Sequence, residues 1–208
     1  SWQQVLDEYE KLDNPRIFKT HCTYPQTPGT DTARIILTVR DPRDCCVSFY
    51  HHLMDMTDEA RHKTGMEPPA SFDAFFDNWL AGEVWFRNVT SWWPRRETAN
   101  ILMLRFADLK TDFETEMNKI LEFLGWELPI DKRAPVLEYC SFSWMKAHME
   151  MFANQNSQRT QIFKKGGFIR KGVVGDYKGL LSADQQHQIL EKARSQLEPA
   201  LLDYLSLT

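Results

Sequence analysis

The chain has 208 residues, 42% of them hydrophobic and 12% aromatic, enough to bury one sizeable core, so a single domain over 1–208 is expected. Lys plus Arg number 25 against 29 Asp plus Glu, a formal net charge of -4, which excludes a global pull toward nucleic acid or an anionic membrane. Any anion site must be local.

The termini and cysteines narrow the class further. Cys22, Cys45, Cys46 and Cys140 form no CxxC pair, so neither a disulfide framework nor a zinc site is indicated, and reduced, mostly buried thiols are expected. No apolar run approaches the ~20 residues that span a bilayer. Ser1 to Leu12 carries Asp7, Glu8 and Glu10 where a signal peptide needs a positive and then an apolar stretch. A soluble, cytoplasmic protein is the expectation.

In chain order, Val5, Leu6, Tyr9 and Leu12 recur at helical spacing, and Pro15 ends that helix before Arg16-Ile17-Phe18-Lys19-Thr20, a short extended run. Residues 23–33 are rich in Pro, Thr and Gly and predict a loop. Ile35 to Val39 is a β-branched apolar run short enough for a buried parallel strand, and Asp41-Pro42 supplies an N-cap and a first-turn proline for a helix. Residues 57–70 are polar and contain proline, which predicts a connection. Phe72, Phe75, Phe76 and Trp79 mark a second helix, and Trp85, Phe86, Val89, Trp92 and Trp93 a third. Ile101 to Leu104 predicts another buried strand. Thr111 to Glu114 has capping-box spacing, Phe113, Met117, Ile120, Leu121 and Leu124 form the stripe behind it, and Gly125 closes the helix. Ala153 to Lys165 is polar and aperiodic and predicts a mobile loop, 166–179 holds five glycines, and Ala183 to Leu205 predicts one helix. Strands alternating with helices imply an α/β sheet with ligands beyond the carboxyl ends of its strands.

Three clusters carry chemistry. Lys19-Thr20-His21 ends a strand: a histidine there can accept a proton near neutral pH, and the lysine can neutralise charge on a leaving phosphate. The alternative is a solvated strand end. In Arg40-Asp41-Pro42-Arg43-Asp44-Cys45-Cys46-Val47-Ser48, the strand-end guanidinium and a hydroxyl two turns along the helix can converge on one phosphate. Otherwise Arg43 and Asp44 merely solvate the first turn and Ser48 is filler. In Gly166 to Lys178, Arg170 and Lys171 precede Gly172, so two cations and unobstructed backbone N–H groups can approach an anion, unless this is only a basic surface turn.

No metal is implicated. His51 and His52 are adjacent, and neither His62 nor His148 has a ligand partner four residues on. No GxSxG elbow supports acyl transfer.

Together these residues resemble the cytosolic, PAPS-dependent sulfotransferase family, where PAPS is 3'-phosphoadenosine 5'-phosphosulfate. Pro15 to His21 resembles its Lys-Thr-His strand, Val39 to Tyr50 its 3'-phosphate strand and helix, and Arg170-Lys171-Gly172-x-x-Gly175-Asp176-Tyr177-Lys178 its carboxy-terminal phosphate motif. Trp85 to Trp93 and Ile101 to Gly125 resemble its middle elements. The resemblance implies an α/β fold, a P-loop-like parallel sheet flanked by helices, and transfer of a sulfuryl group from PAPS to a hydroxyl of a small molecule, leaving 3'-phosphoadenosine 5'-phosphate (PAP). It makes His21 the general base and Lys19 a stabiliser of the transferring group. Arg40, Ser48, Arg170, Lys171 and the Gly172 amide would hold the 3'-phosphate. Cys140 and Phe142, in Cys140-Ser141-Phe142, fall where an aromatic packs on adenine, and Phe106 falls where the family has a tyrosine.

Nothing before Lys19 resembles the family's first strand and phosphosulfate loop: either those residues precede Ser1, or the chain does not bind the donor fully. The family's dimer motif would fall on Lys178, Ser182, Ala183 and His187 and keeps only the lysine, which leaves the oligomeric state open. Two other functions share part of the pattern. A nucleotide kinase would need a Walker lysine, which is absent, and a non-catalytic nucleotide-binding protein would need no more than the phosphate motifs. Phe72, Phe75, Phe76, Trp85 and Phe86 either line an apolar acceptor pocket or belong to the core. Residues 153–168 are expected to form a flap that orders when nucleotide engages Arg170 and Lys171.

Overall fold

Ile35–Val39 forms strand β1 and Ile101–Arg105 strand β2, paired in parallel with Ile35 opposite Ile101 and Val39 opposite Arg105. These are the two strands that β-branched and apolar runs pick out. The computed structural model describes residues 7–151, 162–164 and 169–208, and within them the sheet is this one pair. A fully buried β1 is not what forms: Val39 is buried, whereas Ile36 and Thr38 point to the other face and are exposed. Period-two alternation follows because helices pack closely against only one side of that strand.

Helix α1, Pro42–Asp55, starts as its cap predicts, with the Asp41 carboxylate accepting the Arg43 N–H at 2.8 Å. Residues 57–70 are more than a connection. Thr57 caps α2, Asp58–Thr64, by accepting the Ala60 N–H at 3.2 Å, and Gly65 closes it at φ 67°. The acidic first turn and basic last turn suit the helix dipole, a signal that bulk polarity hides. Helices α3, Phe72–Gly82, and α4, Val84–Trp92, follow, then α5, Phe106–Thr111, and α6, Phe113–Leu124. The cap of α6 is Asp112, one residue beyond the expected Thr111, and Gly125 ends it at φ 64°. Helices α7, Ile130–Tyr139, and α8, Phe142–Ala147, are not legible from periodicity, since Pro135 lies inside α7 and α8 is less than two turns long. The expected single C-terminal helix is two, α9, Ala183–Gln196, and α10, Pro199–Leu205. Pro199 has no N–H to donate to the preceding turn and begins a new helix instead.

The extended run at Arg16 to Thr20 is not a strand. Its residues are exposed, Ile17 by 81%, and among the described residues no neighbour completes a ladder with it. Extended backbone becomes a strand only where a partner takes its N–H and C=O groups. Most of the expected flap, 153–161 and 165–168, lies outside the described residues. Its described part is tied to the end of α1: Phe163 bridges Met56, the Thr57 N–H donates to the Ile162 carbonyl at 2.9 Å, and the Lys164 N–H to the Asp55 carbonyl at 2.8 Å.

The core joins α1, α3, α4, α9 and α10 through Cys46, Val47, Phe76, Phe86, Val89, Ile189 and Leu201. Phe75, Phe76 and Phe86 are at most 5% exposed and therefore core; Phe72 and Trp85 pack against it partly buried. Of the four cysteines, all free thiols, only Cys46 is fully buried and Cys140 is exposed. No helix among the described residues is long and apolar enough to cross a membrane.

Asp44 does not solvate the first turn of α1; it is 1% exposed. Its carboxylate accepts the Gly175 N–H at 2.9 Å and the Tyr177 N–H at 3.1 Å, and Arg40 lies 3.5 Å away. Tyr177, beside it, is buried in the core and carries the Arg43 guanidinium over its ring at 4.3 Å. Asp44→Ala would leave two N–H donors and a cation without their acceptor. Equilibrium urea unfolding of that variant should show a loss of about 3–5 kcal/mol, with Arg43→Ala losing clearly less.

Candidate active site

The cleft that holds the predicted phosphate residues opens beyond the carboxyl ends of both strands. Arg40 follows β1 directly and Phe106 follows β2 directly, so the parallel register places the two residues side by side, with the guanidinium 4.4 Å from the ring centroid. The cation is held further by donating from Nη2 to the Val173 carbonyl at 2.9 Å. Its Nε is buried and has no hydrogen-bond partner among the described residues.

Ser48 lines the same cleft from α1, and Arg170, Lys171 and Gly172 line it from the segment that Asp44 docks. Three sequence-distant clusters have thus become two that meet: the Arg-Asp-Pro helix and the basic glycine segment share one cavity. Arg170 and Lys171 are not waiting in solvent. Both pair with Asp176, Lys171 at 2.8 Å and Arg170 through Nη2, and Asp176 is 8% exposed in its side chain. Burial alone would raise the Asp176 carboxyl, yet hydrogen bonds from Lys171 and Arg170 outweigh it and hold the group below the usual carboxylate range.

Phe142, at the start of α8, forms the apolar side of the cleft. Two ammonium groups lie over its ring, Lys110 Nζ at 5.3 Å and Lys146 Nζ at 5.6 Å from the centroid, and Lys146 also donates to the Arg170 carbonyl at 3.0 Å. Gly172 packs so closely on this ring that a Cβ would stand 2.5 Å from its Cδ2, and its φ of 60° is left-handed. Cys140 does not line the cleft; it is exposed at the end of α7, two residues short of the ring. Burial pushes the Cys45 and Cys46 thiols up to about 12, so neither α1 cysteine is a nucleophile at neutral pH.

Lys19 and His21 do not line the cleft either, and both are exposed. Asn88 and Trp92 of α4 fix the backbone here. Asn88 Nδ2 donates to the His21 carbonyl at 3.1 Å and to the Cys22 carbonyl at 2.9 Å, and Trp92 Nε1 donates to the Cys22 carbonyl at 3.1 Å. Lys19 and His21 nonetheless act on the cleft wall at a distance, since both disfavour the protonated form of His52, which lines it. Sequence reasoning missed His51, His52 and Asp176. The histidines had a signal, three and four residues after Ser48 on α1, and Asp176 lay inside the basic glycine motif without its pairing to Arg170 and Lys171 being readable.

The chain belongs to the sulfotransferase domain family, whose model matches residues 1–198. Sulfotransferase 1A1 of Rattus norvegicus is 30% identical over 193 residues, which are 88% of this chain and 63% of the rat protein. Sulfotransferase 1 family member D1 of the same species is 28% identical, over 97% of this chain and 68% of that protein. The chain thus spans roughly two thirds of the length of these relatives. Among solved structures, mouse sulfotransferase SULT7A1 complexed with PAP matches with a TM-score of 0.76 and 26% identity, over 96% of this chain and 72% of that one. Retinol dehydratase in complex with androsterone and inactive cofactor PAP matches with a TM-score of 0.72 at 21% identity, covering 95% and 60%, a likeness of fold. The expected α/β class, a parallel sheet flanked by helices, is the one observed, the sheet being one pair among the described residues.

Gly172→Ala tests the close approach to Phe142. Left-handed backbone costs a Cβ-bearing residue about 1–2 kcal/mol, and the ring must also move. A thermal melt should show that loss, and Phe142→Leu in the same background should recover part of it by removing the clash.

Proposed function

We propose that this chain binds PAPS and transfers its sulfuryl group in line to a hydroxyl of a small-molecule acceptor. The observation that carries this reading is the convergence of Arg40, Ser48, Arg170, Lys171 and Gly172 in one cleft beyond the strand ends, beside an aromatic ring. The cleft fits such a ligand. Arg40 Nε is a buried donor without an acceptor among the described residues, and Gly172 has no Cβ, whose place the Phe142 ring takes. The mouse neighbour with PAP supports the nucleotide by likeness.

Arg40, Ser48 and the Gly172 amide hold the 3'-phosphate. Arg170 and Lys171 hold it too, exchanging Asp176 for it or sharing it between both anions. Phe142 offers its face to adenine, with Cys140 at the edge of that site. Phe106, in place of a tyrosine, offers no hydroxyl and instead steadies the Arg40 cation. PAPS supplies the sulfuryl group and a phosphate leaving group. His21 takes the acceptor proton as the hydroxyl attacks, and Lys19 offsets the charge that accumulates on the far side of sulfur. The family's phosphosulfate loop is not recognisable in the 208 residues, so the 5' end of the donor is held by groups other than those named. A small hydroxylated acceptor and a cytoplasmic setting belong to the same proposal.

Two measurements check it. Charge-assisted hydrogen bonds contribute about 1.5–3 kcal/mol each, so Arg40→Ala and Arg170→Ala should each weaken PAP binding at least about tenfold in calorimetry. Unchanged affinity in both would remove the nucleotide assignment. A positioned base contributes about 10²–10⁴-fold, so His21→Ala should lower kcat by that factor in a PAPS-to-phenol transfer assay while PAP affinity stays within about twofold. Near-normal turnover would place the base elsewhere.

A further inference from the structure

The wall of the cleft opposite in chemistry to its arginines is made of two histidines that no role above uses. His51 and His52 follow Ser48 by three and four residues on α1, so each neighbours Ser48 on the helix surface, and all three line the cavity that holds Arg170, Lys171 and Gly172. Aromatic rings seat both: Tyr50 lies edge-on to His51 at 5.5 Å, and Phe163, from the segment bridged to Met56, edge-on to His52 at 5.0 Å. On the reading of this cleft as a phosphate site, we propose that His51 and His52 are a titratable part of it, neutral before a phosphate enters and cationic donors to it afterwards.

The charges around them make this coupling work. His51 faces Arg170 and Lys171 as well as the carboxylates of Asp176 and Asp55. His52 faces Asp55 on its own helix, Arg170 from the glycine segment, and Lys19 and His21 from the segment before β1. Lys164 follows Phe163 and is exposed, with its backbone N–H on the Asp55 carbonyl. Burial, helped by the neighbouring cations, keeps both imidazoles below their ordinary value of about 6.5, so they are neutral at about pH 7. A phosphate dianion in the cleft reverses the sign of the local field. The histidine pKa values then rise, and binding takes up protons.

The sign of the pH dependence follows. Each histidine adds affinity only where its bound form is protonated, so the gain is lost as pH rises through the raised value and fully present below the depressed one. Phosphate monoesters titrate in the same range, and two controls remove that interference. Inorganic sulfate keeps its charge across it, and the ratio of unaltered to variant affinity cancels the ligand's own protons.

The test is calorimetric titration of the whole chain with PAP and, separately, with inorganic sulfate, at about pH 6 and about pH 8, in buffers of different ionisation enthalpy. His51→Gln, His52→Gln and the double variant are run beside the unaltered protein. The double variant should bind about tenfold more weakly at about pH 6 and within about twofold at about pH 8. Sulfate binding to the unaltered protein should take up protons, a readout that needs no variant to fold. An affinity ratio that is the same at both pH values marks a purely structural role and overturns the proposal, as does sulfate binding without proton uptake. If sulfate binds with this histidine dependence while PAP does not bind, the nucleotide reading falls and the titratable site stands. If neither anion binds, both fall together.

Discussion

The Asp44 carboxylate is the constraint on which the site depends. Burying a carboxylate costs several kcal/mol unless its oxygens are satisfied, and here two backbone N–H groups from residues 131 and 133 positions away satisfy them. The same contact settles where the Arg170 to Gly172 segment lies, because Gly175 and Tyr177 cannot dock on α1 without carrying the basic residues to the mouth of β1. Tyr177 then fills the core beside Val47 and Leu181. Packing and electrostatics thus lock together at one point: the buried carboxylate holds the backbone, and the tyrosine holds the helix.

A net-acidic chain concentrates cations in one cleft, and that arrangement needs internal compensation to be stable without ligand. Asp176 supplies it for Arg170 and Lys171, and Asp44 and the Val173 carbonyl supply it for Arg40. Arg40 Nε stays buried with no hydrogen-bond partner among the described residues, and the Lys110 and Lys146 ammonium groups rest on the face of the Phe142 ring, Lys146 also donating to the Arg170 carbonyl.

The cleft and the Lys19-His21 segment are held by different means. The cleft is built on a helix and two strand ends joined by buried hydrogen bonds, so its geometry is stiff. The Lys19-His21 side is exposed backbone pinned by Asn88 and Trp92, outside any sheet ladder. Such a segment is positioned by few contacts and is the softer of the two. His52, which feels both, is the wall they share.

Much of this was legible in the residues alone, wherever local chemistry is self-sufficient. Asp41-Pro42 starts a helix because a carboxylate and a fixed φ are all that an N-terminus needs, and Gly125 ends one because it tolerates a left-handed turn. The β-branched run at Ile35 and the apolar run at Ile101 read as strands and are strands, and Arg40 and Ser48, eight residues apart, line one cleft. The tertiary structure decided whatever depends on a distant partner. Arg16 to Thr20 has the pattern of a strand, but a ladder needs a neighbour, and sequence pattern cannot supply one. Asp44 reads as a solvated first-turn acid until Gly175 and Tyr177 arrive to bury it. Asp176, His51 and His52 became site residues only because that docking brings the glycine segment against α1. Local propensity is written residue by residue, whereas a buried carboxylate and the donors that satisfy it belong to the fold as a whole.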